Sequence, residues 1–362
     1  MRVLYDGFIY AAQASGGINR YFANIIKHLP PDFVPILTTK KNRTLNYPEH
    51  PALKIYKFPV FRPGRISVPL GKFYFRAVDK FARPDVIHPT YYSKLTGEKI
   101  SFRRCPLVIT VHDMIHEIFS DTMDPYGVIA REKKEAILGS DVVICVSEST
   151  KADLLNIINI PSERITVIHH ASEIDAAISY GDEAVPDQPY FLYVGSRAHY
   201  KNFDGLCRAL ATIIESRPDI MLCVVGSPFN SKELKLIGEL GLSSVIENYG
   251  EVTDGQLAKL YRGSVAFVYP SLYEGFGIPP LEAMACGTAV IAANCSSIPE
   301  VVGDAAVLFE PSETDGLTEA LFFVLNHPAK RSLFISKGYE RAKNFSWKKT
   351  AMQTVQLYRS LL

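Results

Sequence analysis

Between Ser271 and Ala293 the chain reads SLYEGFGIPPLEAMACGTAVIAA, a strand end, a glycine loop, a helix and a second strand. Strands joined through a helix run parallel, so this unit calls for an open α/β sheet. Pro279 and Pro280, with fixed φ and no N–H to satisfy, suit a helix start, and Gly287 supplies the permissive backbone that ends it. The expected geometry puts Glu274 in the loop and Glu282 in the first helical turn.

A helix start offers unpaired N–H donors and a partial positive charge, and Gly275 and Gly277 let a ligand approach the backbone. Two carboxylates beside it can accept hydrogen bonds from the paired hydroxyls of a ribose or hexose. A solvated or capping acid would account for Glu282, but not for Glu274 or for a Gly-Phe-Gly loop wedged between a strand end and a double proline. The combination points to a sugar nucleotide. The stretch resembles the donor-site motif of family four of the retaining glycosyltransferases, in which two glutamates separated by seven residues flank the bound sugar nucleotide. Glu274 and Glu282 match that spacing.

At 362 residues two domains are expected, and an apolar fraction of 47% allows each its own core. A net charge of +1 argues against a dedicated nucleic-acid binder. The first ten residues, MRVLYDGFIY, read as a strand rather than a leader, and no apolar run is long enough to span a bilayer, so a cytoplasmic protein is expected. The six cysteines are scattered without metal-ligand spacing and read as reduced core residues.

In chain order, a strand from Arg2 to Phe8 leads into a turn containing Gly16 and Gly17 and then a helix, NRYFANIIKHL. Such a turn is either a plain tight turn or a phosphate and substrate loop. The family carries a glycine-rich loop here that closes over donor diphosphate and acceptor, so the resemblance favours the second for Gly16 and Gly17. From Lys40 to Arg83 the chain is basic and aromatic: either a solvated amphipathic helix or a contact for anionic lipid head groups or a lipid-linked acceptor. Strands at Val86–Pro89, Leu107–Val111, Val142–Val146 and Ile165–His169 follow, and the polar residues that end the first three, His88, His112-Asp113 and Ser147-Glu148, are site candidates by position. Ser147 also suits a helix cap. In the family a histidine at the end of the corresponding strand reaches the donor hexose, and VITVHDMIHE places His112 there; His116 is ambiguous.

An acid- and proline-rich stretch from Glu173 to Pro189 reads as a linker. The second half opens with YFLYVGSRAHYKNFDGLCRAL, whose turn holds Arg197 and Lys201, two cations near a helix start that could bind a diphosphate. The family uses a basic pair in this loop for that purpose; Arg197 sits closer to the glycine than in several subgroups, which makes Lys201 the firmer match. Strands at Met221–Val225 and Val245–Tyr249 end in Gly226 and in Gly250-Glu251-Val252, and the backbone of Gly250 and Val252 is placed to meet a nucleotide base.

Two strand-and-helix series, each with its own glycine turn, imply two doubly wound parallel-sheet domains. The resemblance names this the GT-B fold, with two Rossmann-like domains facing a cleft: residues 1–175 binding the acceptor, 186–345 binding the nucleotide sugar, and a helix at 346–362 crossing back to the first. It implies retaining hexose transfer from a nucleoside-diphosphate sugar to a glycan or lipid-linked glycan, of the kind used in polysaccharide and lipopolysaccharide biosynthesis. Arg197 and Lys201 would hold the diphosphate, Glu282 the ribose, Glu274 with the Gly275, Phe276 and Gly277 backbone the hexose, and His112 the hexose from the opposite domain. The texture of GSRAHYKNF resembles mannosyltransferases that use GDP-mannose. No Asp-x-Asp pair is present, so no cofactor or metal is expected. Three rivals remain: a dehydrogenase, which Pro280 in place of the third fingerprint glycine opposes, a non-catalytic sugar-nucleotide binder, and a GT-B epimerase or phosphorylase.

Overall fold

The structure, a computed structural model, describes residues 1–13, 16–40, 47–100, 104–174, 177–178, 184–313 and 315–362. The chain forms two compact units, one of Met1–His170 with Trp347–Leu362 and one of Ala171–Ser346. Much of the expected linker, at 175–176 and 179–183, lies outside the described residues, as do Ala14 and Ser15 of the first glycine turn and 41–46 of the basic stretch.

In the first unit β1 (Arg2–Asp6), β2 (Val34–Lys40), β3 (Lys54–Phe58) and β4 (Val86–Ile87) form a parallel sheet in the order β3-β2-β1-β4. A second parallel sheet, β5 (Val108–Val111), β6 (Val142–Cys145) and β7 (Ile165–Val167), meets the first through the Ile87–Leu107 bridge. β1 ends earlier than expected. Gly7 donates its N–H to the Thr38 carbonyl, any side chain there would strike that oxygen, and Phe8–Ala12 turns into a short helix. The strands expected to reach Pro89, Val146 and His169 also stop short, at Ile87, Cys145 and Val167.

The Trp347–Ser360 helix packs on this unit through fully buried Tyr358, whose hydroxyl meets His88 Nδ1 at 2.6 Å and Tyr5 Oη at 3.2 Å. His88 Nε2 lies 2.8 Å from the Thr110 hydroxyl. His88 is therefore a wedge between the sheet and the last helix, the structural one of the histidines singled out by position.

The second unit is one parallel sheet of β8 (Tyr190–Val194), β9 (Met221–Val225), β10 (Ile246–Gly250), β11 (Ala266–Tyr269), β12 (Val290–Ala293) and β13 (Val307–Phe309), in the order β10-β9-β8-β11-β12-β13. Its inner strands are buried almost throughout, as a parallel sheet covered on both faces requires. The order reverses between β8 and β11, and in open α/β sheets ligands bind outside the carboxyl ends of the two strands at such a reversal.

Candidate active site

The loop after β8 and the loop after β11 leave the sheet side by side at that reversal. The first carries Lys201 and the second Glu274, and Lys201 Nζ lies 2.6 Å from Glu274 Oε1. The ammonium also sits 5.0 Å from the Tyr200 ring centroid and 5.8 Å from that of Tyr269, in part-buried surroundings where charge is screened less than on the surface. The structure thus brings together two residues separated by 73 positions.

Glu274's loop is held from below. Its N–H donates to Ser296 Oγ at 2.9 Å, while Ser297 Oγ reaches the carbonyls of Glu274 (2.8 Å) and Phe276 (2.9 Å). The Phe276 ring is buried edge-on against Phe345, with centroids 5.8 Å apart. Gly277, at φ 101°, is the N-cap of the Ile278–Ala285 helix. Gly277 therefore starts the helix ahead of the prolines, and the first turn contains no acid. Glu282 is the fifth helical residue, which corrects its expected place in the first turn. Its side chain is buried and accepts from the Tyr261 hydroxyl at 3.0 Å.

Three glycines end the adjoining strands: Gly195 after β8, Gly226 after β9 and Gly250 closing β10, at φ of 129°, 150° and 67°. A Cβ on Gly226 would lie 2.5 Å from the Gly195 carbonyl oxygen, so the two loops approach as closely as glycine alone allows. Gly226 donates its N–H to the Gly250 carbonyl, and Val252 packs half-buried against the core.

Arg197 is held differently from Lys201. Its guanidinium pairs with Glu233 (Nε to Oε1 3.0 Å), donates to the carbonyls of Ser227 and Pro228 at 2.7 and 2.9 Å, and lies over the Phe229 ring. Glu233 in turn completes the capping box of the Ser231–Glu239 helix with Asn230. Only Nη1 of Arg197 is buried without a hydrogen-bond partner.

In the first unit Gly16 caps the Gly17–Lys27 helix, and the space where a Gly17 side chain would stand is open. His112 follows β5 with its Nδ1 3.3 Å from His170 Nε2, the two rings parallel within 5°, and Tyr21 edge-on to both. Nε2 of His112 has no hydrogen-bond partner. Behind it the buried Lys133 donates to the Asp113 carbonyl (3.0 Å) and pairs with Glu117 (2.8 Å), tying down the backbone that follows His112. His116 is half-buried and its pKa is lowered, chiefly by desolvation. Ser147 caps the Glu148–Ile157 helix by accepting from Thr150 N–H, as read from sequence.

Burial pushes His88 down to about 3, His112 to about 4 and His170 well below its ordinary 6.5. The unfolded chain protonates these rings below about pH 6.5, whereas the native unit keeps them neutral until the pH nears the lowered values. Their contribution is therefore complete above pH 6.5 and is lost as the pH falls from there towards 3. The melting temperature of the first unit is expected to fall between pH 7 and pH 5 in a thermal scan, and His88→Asn to flatten that slope.

Two family profiles divide the chain, "Glycosyltransferase Family 4" over residues 15–176 and "Glycosyl transferases group 1" over 181–341. The O-antigen chain mannosyltransferase B of Escherichia coli is 30% identical over 271 residues, covering 70% of both chains. The protein belongs to glycosyltransferase family four. An MMP alpha-(1->4)-mannosyltransferase of Mycolicibacterium hassiacum is also 30% identical, over 64% of this chain and 57% of that one. Among solved structures, a sucrose-phosphate synthase of Thermosynechococcus elongatus superimposes with a TM-score of 0.79 at 23% identity, covering 99% of this chain and 98% of that one. WaaG, a glycosyltransferase involved in lipopolysaccharide biosynthesis, gives 0.72 at 17% identity, with 99% of each chain covered. This family-four chain therefore has the GT-B fold expected from its sequence. The groups that position the candidate residues come from elsewhere in the chain and are absent from the sequence reading: Ser296 and Ser297 for Glu274, Tyr261 for Glu282, Glu233 for Arg197, and Lys133 and His170 for His112 and the backbone after it.

Proposed function

We propose that the protein transfers mannose from GDP-mannose to a hydroxyl of a growing cell-surface glycan, such as an O-antigen or other lipopolysaccharide chain, with retention of configuration and without a metal. The observation that carries this is the meeting of Lys201 and Glu274 at the strand-order reversal, where a donor would sit. In this reading Lys201 neutralises the leaving diphosphate and exchanges Glu274 for it, which releases the carboxylate to the hexose hydroxyls. Arg197 contributes through Nη1, and Glu282, kept oriented by Tyr261, takes the ribose. The Gly275–Gly277 backbone supports the hexose, Gly250 and Val252 flank the base, Gly16 and Gly17 border the diphosphate, and His112 offers Nε2 to the hexose. The first unit would bind acceptor and the second nucleotide, in the cytoplasm. The chemistry required is positioning and charge stabilisation rather than a protein nucleophile.

Two mannosyltransferase relatives at 30% identity support the sugar. A panel of GDP, UDP, ADP and dTDP sugars tests the base: turnover with GDP-mannose and a glycan acceptor is expected, and turnover confined to another base would replace the donor. Binding without turnover on any acceptor would favour the non-catalytic reading.

Glu282→Ala is expected to raise the nucleotide Kd about 10- to 100-fold in calorimetry, since each hydrogen bond to a charged group contributes about 1.5–3 kcal/mol. Glu282→Gln, which keeps the shape, separates this from loss of packing around Tyr261. Unchanged affinity in both would remove Glu282 from the ribose site.

A further inference from the structure

The Gly64–Ala82 helix presents two apolar faces, and only one of them is covered. At about 100° per residue, buried Ser67, Gly71, Phe75, Val78 and Ala82 share one side, which packs on the first unit. Ile66, Leu70, Phe73 and Phe81 form a second stripe roughly a third of a turn away, and it faces outward. Phe73 is 72% and Phe81 75% exposed, and Phe61, in the loop before the helix, is 43% exposed beside Phe58. A soluble surface leaves single large apolar residues exposed, but a row of them along one helix marks a contact.

The charge beside the stripe identifies what it meets. Arg65, Lys72, Arg76 and Lys80 line the remaining side of the helix, and Arg62 and Arg83 stand at its ends. From residue 60 to residue 83 there are six basic residues and one acid, Asp79, in a chain whose net charge is only +1. Arg76 is anchored to Glu98 at 3.3 Å, while Arg65, Lys72 and Lys80 lie exposed next to the apolar row. Apolar side chains that can enter the acyl boundary, flanked by cations at head-group level, describe a helix lying in the plane of a bilayer. None of the helices among the described residues is long and apolar enough to cross a membrane.

We infer that the Gly64–Ala82 helix is an interfacial docking surface for a bilayer rich in anionic lipids. The inference stands apart from the donor site and from the proposed donor.

Vesicle co-sedimentation of the full chain tests it, with phosphatidylcholine vesicles against vesicles containing phosphatidylglycerol. Binding is expected to the anionic vesicles, weakening as salt rises. Phe73→Ser with Phe81→Ser, and separately Lys72→Glu with Lys80→Glu, should each lower the partition coefficient by on the order of tenfold, with the melting temperature and nucleotide affinity kept. Equal binding by wild type and both variants, or no binding to anionic vesicles, would overturn the inference. So would a dimer, seen by sedimentation without lipid, that the double Phe variant abolishes.

Discussion

Replacing Lys201 with Ala is expected to lower turnover by about 10²- to 10³-fold, the usual effect of removing one donor that stabilises developing negative charge. Lys201 has another role in the structure, since its ammonium neutralises Glu274 at 2.6 Å. If that were its whole function, the loss would come from an unpaired carboxylate, and removing the carboxylate's charge would repair it. The double variant Lys201→Ala, Glu274→Gln separates the two cases in steady-state kinetics. The account predicts that the double variant stays at least as slow as the single one. Recovery towards wild-type turnover would reduce Lys201 to a structural counter-ion.

The largest loss of stability is expected at Lys133. Its side chain is 1% exposed, its ammonium lies 2.8 Å from Glu117 and 3.7 Å from Asp113, and the Tyr92 ring centroid is 5.5 Å away. Removing one partner of a buried ion pair leaves the other charge without compensation and costs about 3–5 kcal/mol. Lys133→Met keeps most of the volume and removes only the charge, so the effect isolates electrostatics from packing. Denaturant unfolding, following the transition of the first unit, should show that loss, and Glu117→Gln in the same background should restore part of it. A Lys133→Met protein of unchanged midpoint would show that the buried cluster contributes nothing net. Since Lys133 also holds the carbonyl that follows His112, a fall in turnover beyond the unfolded fraction is expected.

Why the GT-B fold was legible and parts of the site were not follows from where the signals reside. FLYV, AFVY and VIAA are short continuous apolar runs, because each strand is buried on both faces, and Gly195 and Gly277 in the loops after the first two adopt positive φ that other residues rarely take. Both signals are local. The spacing of Glu274 and Glu282 is also local, but their environments are not. Ser297 lies 23 residues from the Glu274 carbonyl it holds, and Tyr261 lies 21 from Glu282. The misplaced first turn has a different cause: the prolines drew the reading to themselves, whereas Gly277, free to adopt a positive φ, sets the boundary one residue before Ile278. The sequence already makes Lys201 the firmer of the two cations in the turn, but only the fold reveals that Glu233, 36 residues on, claims most of the Arg197 guanidinium.

The central claim is that a metal-free site transfers mannose from a GDP-linked donor with its configuration kept. Incubating the enzyme with GDP-mannose and a glycan acceptor in EDTA, and reading the anomeric proton and carbon signals of the new linkage by NMR, tests every part of it at once. The account predicts an α-linked mannose, matching the donor, formed at the same rate with or without the chelator. A β-linked product, or activity lost in EDTA and restored by Mn²⁺, would contradict it.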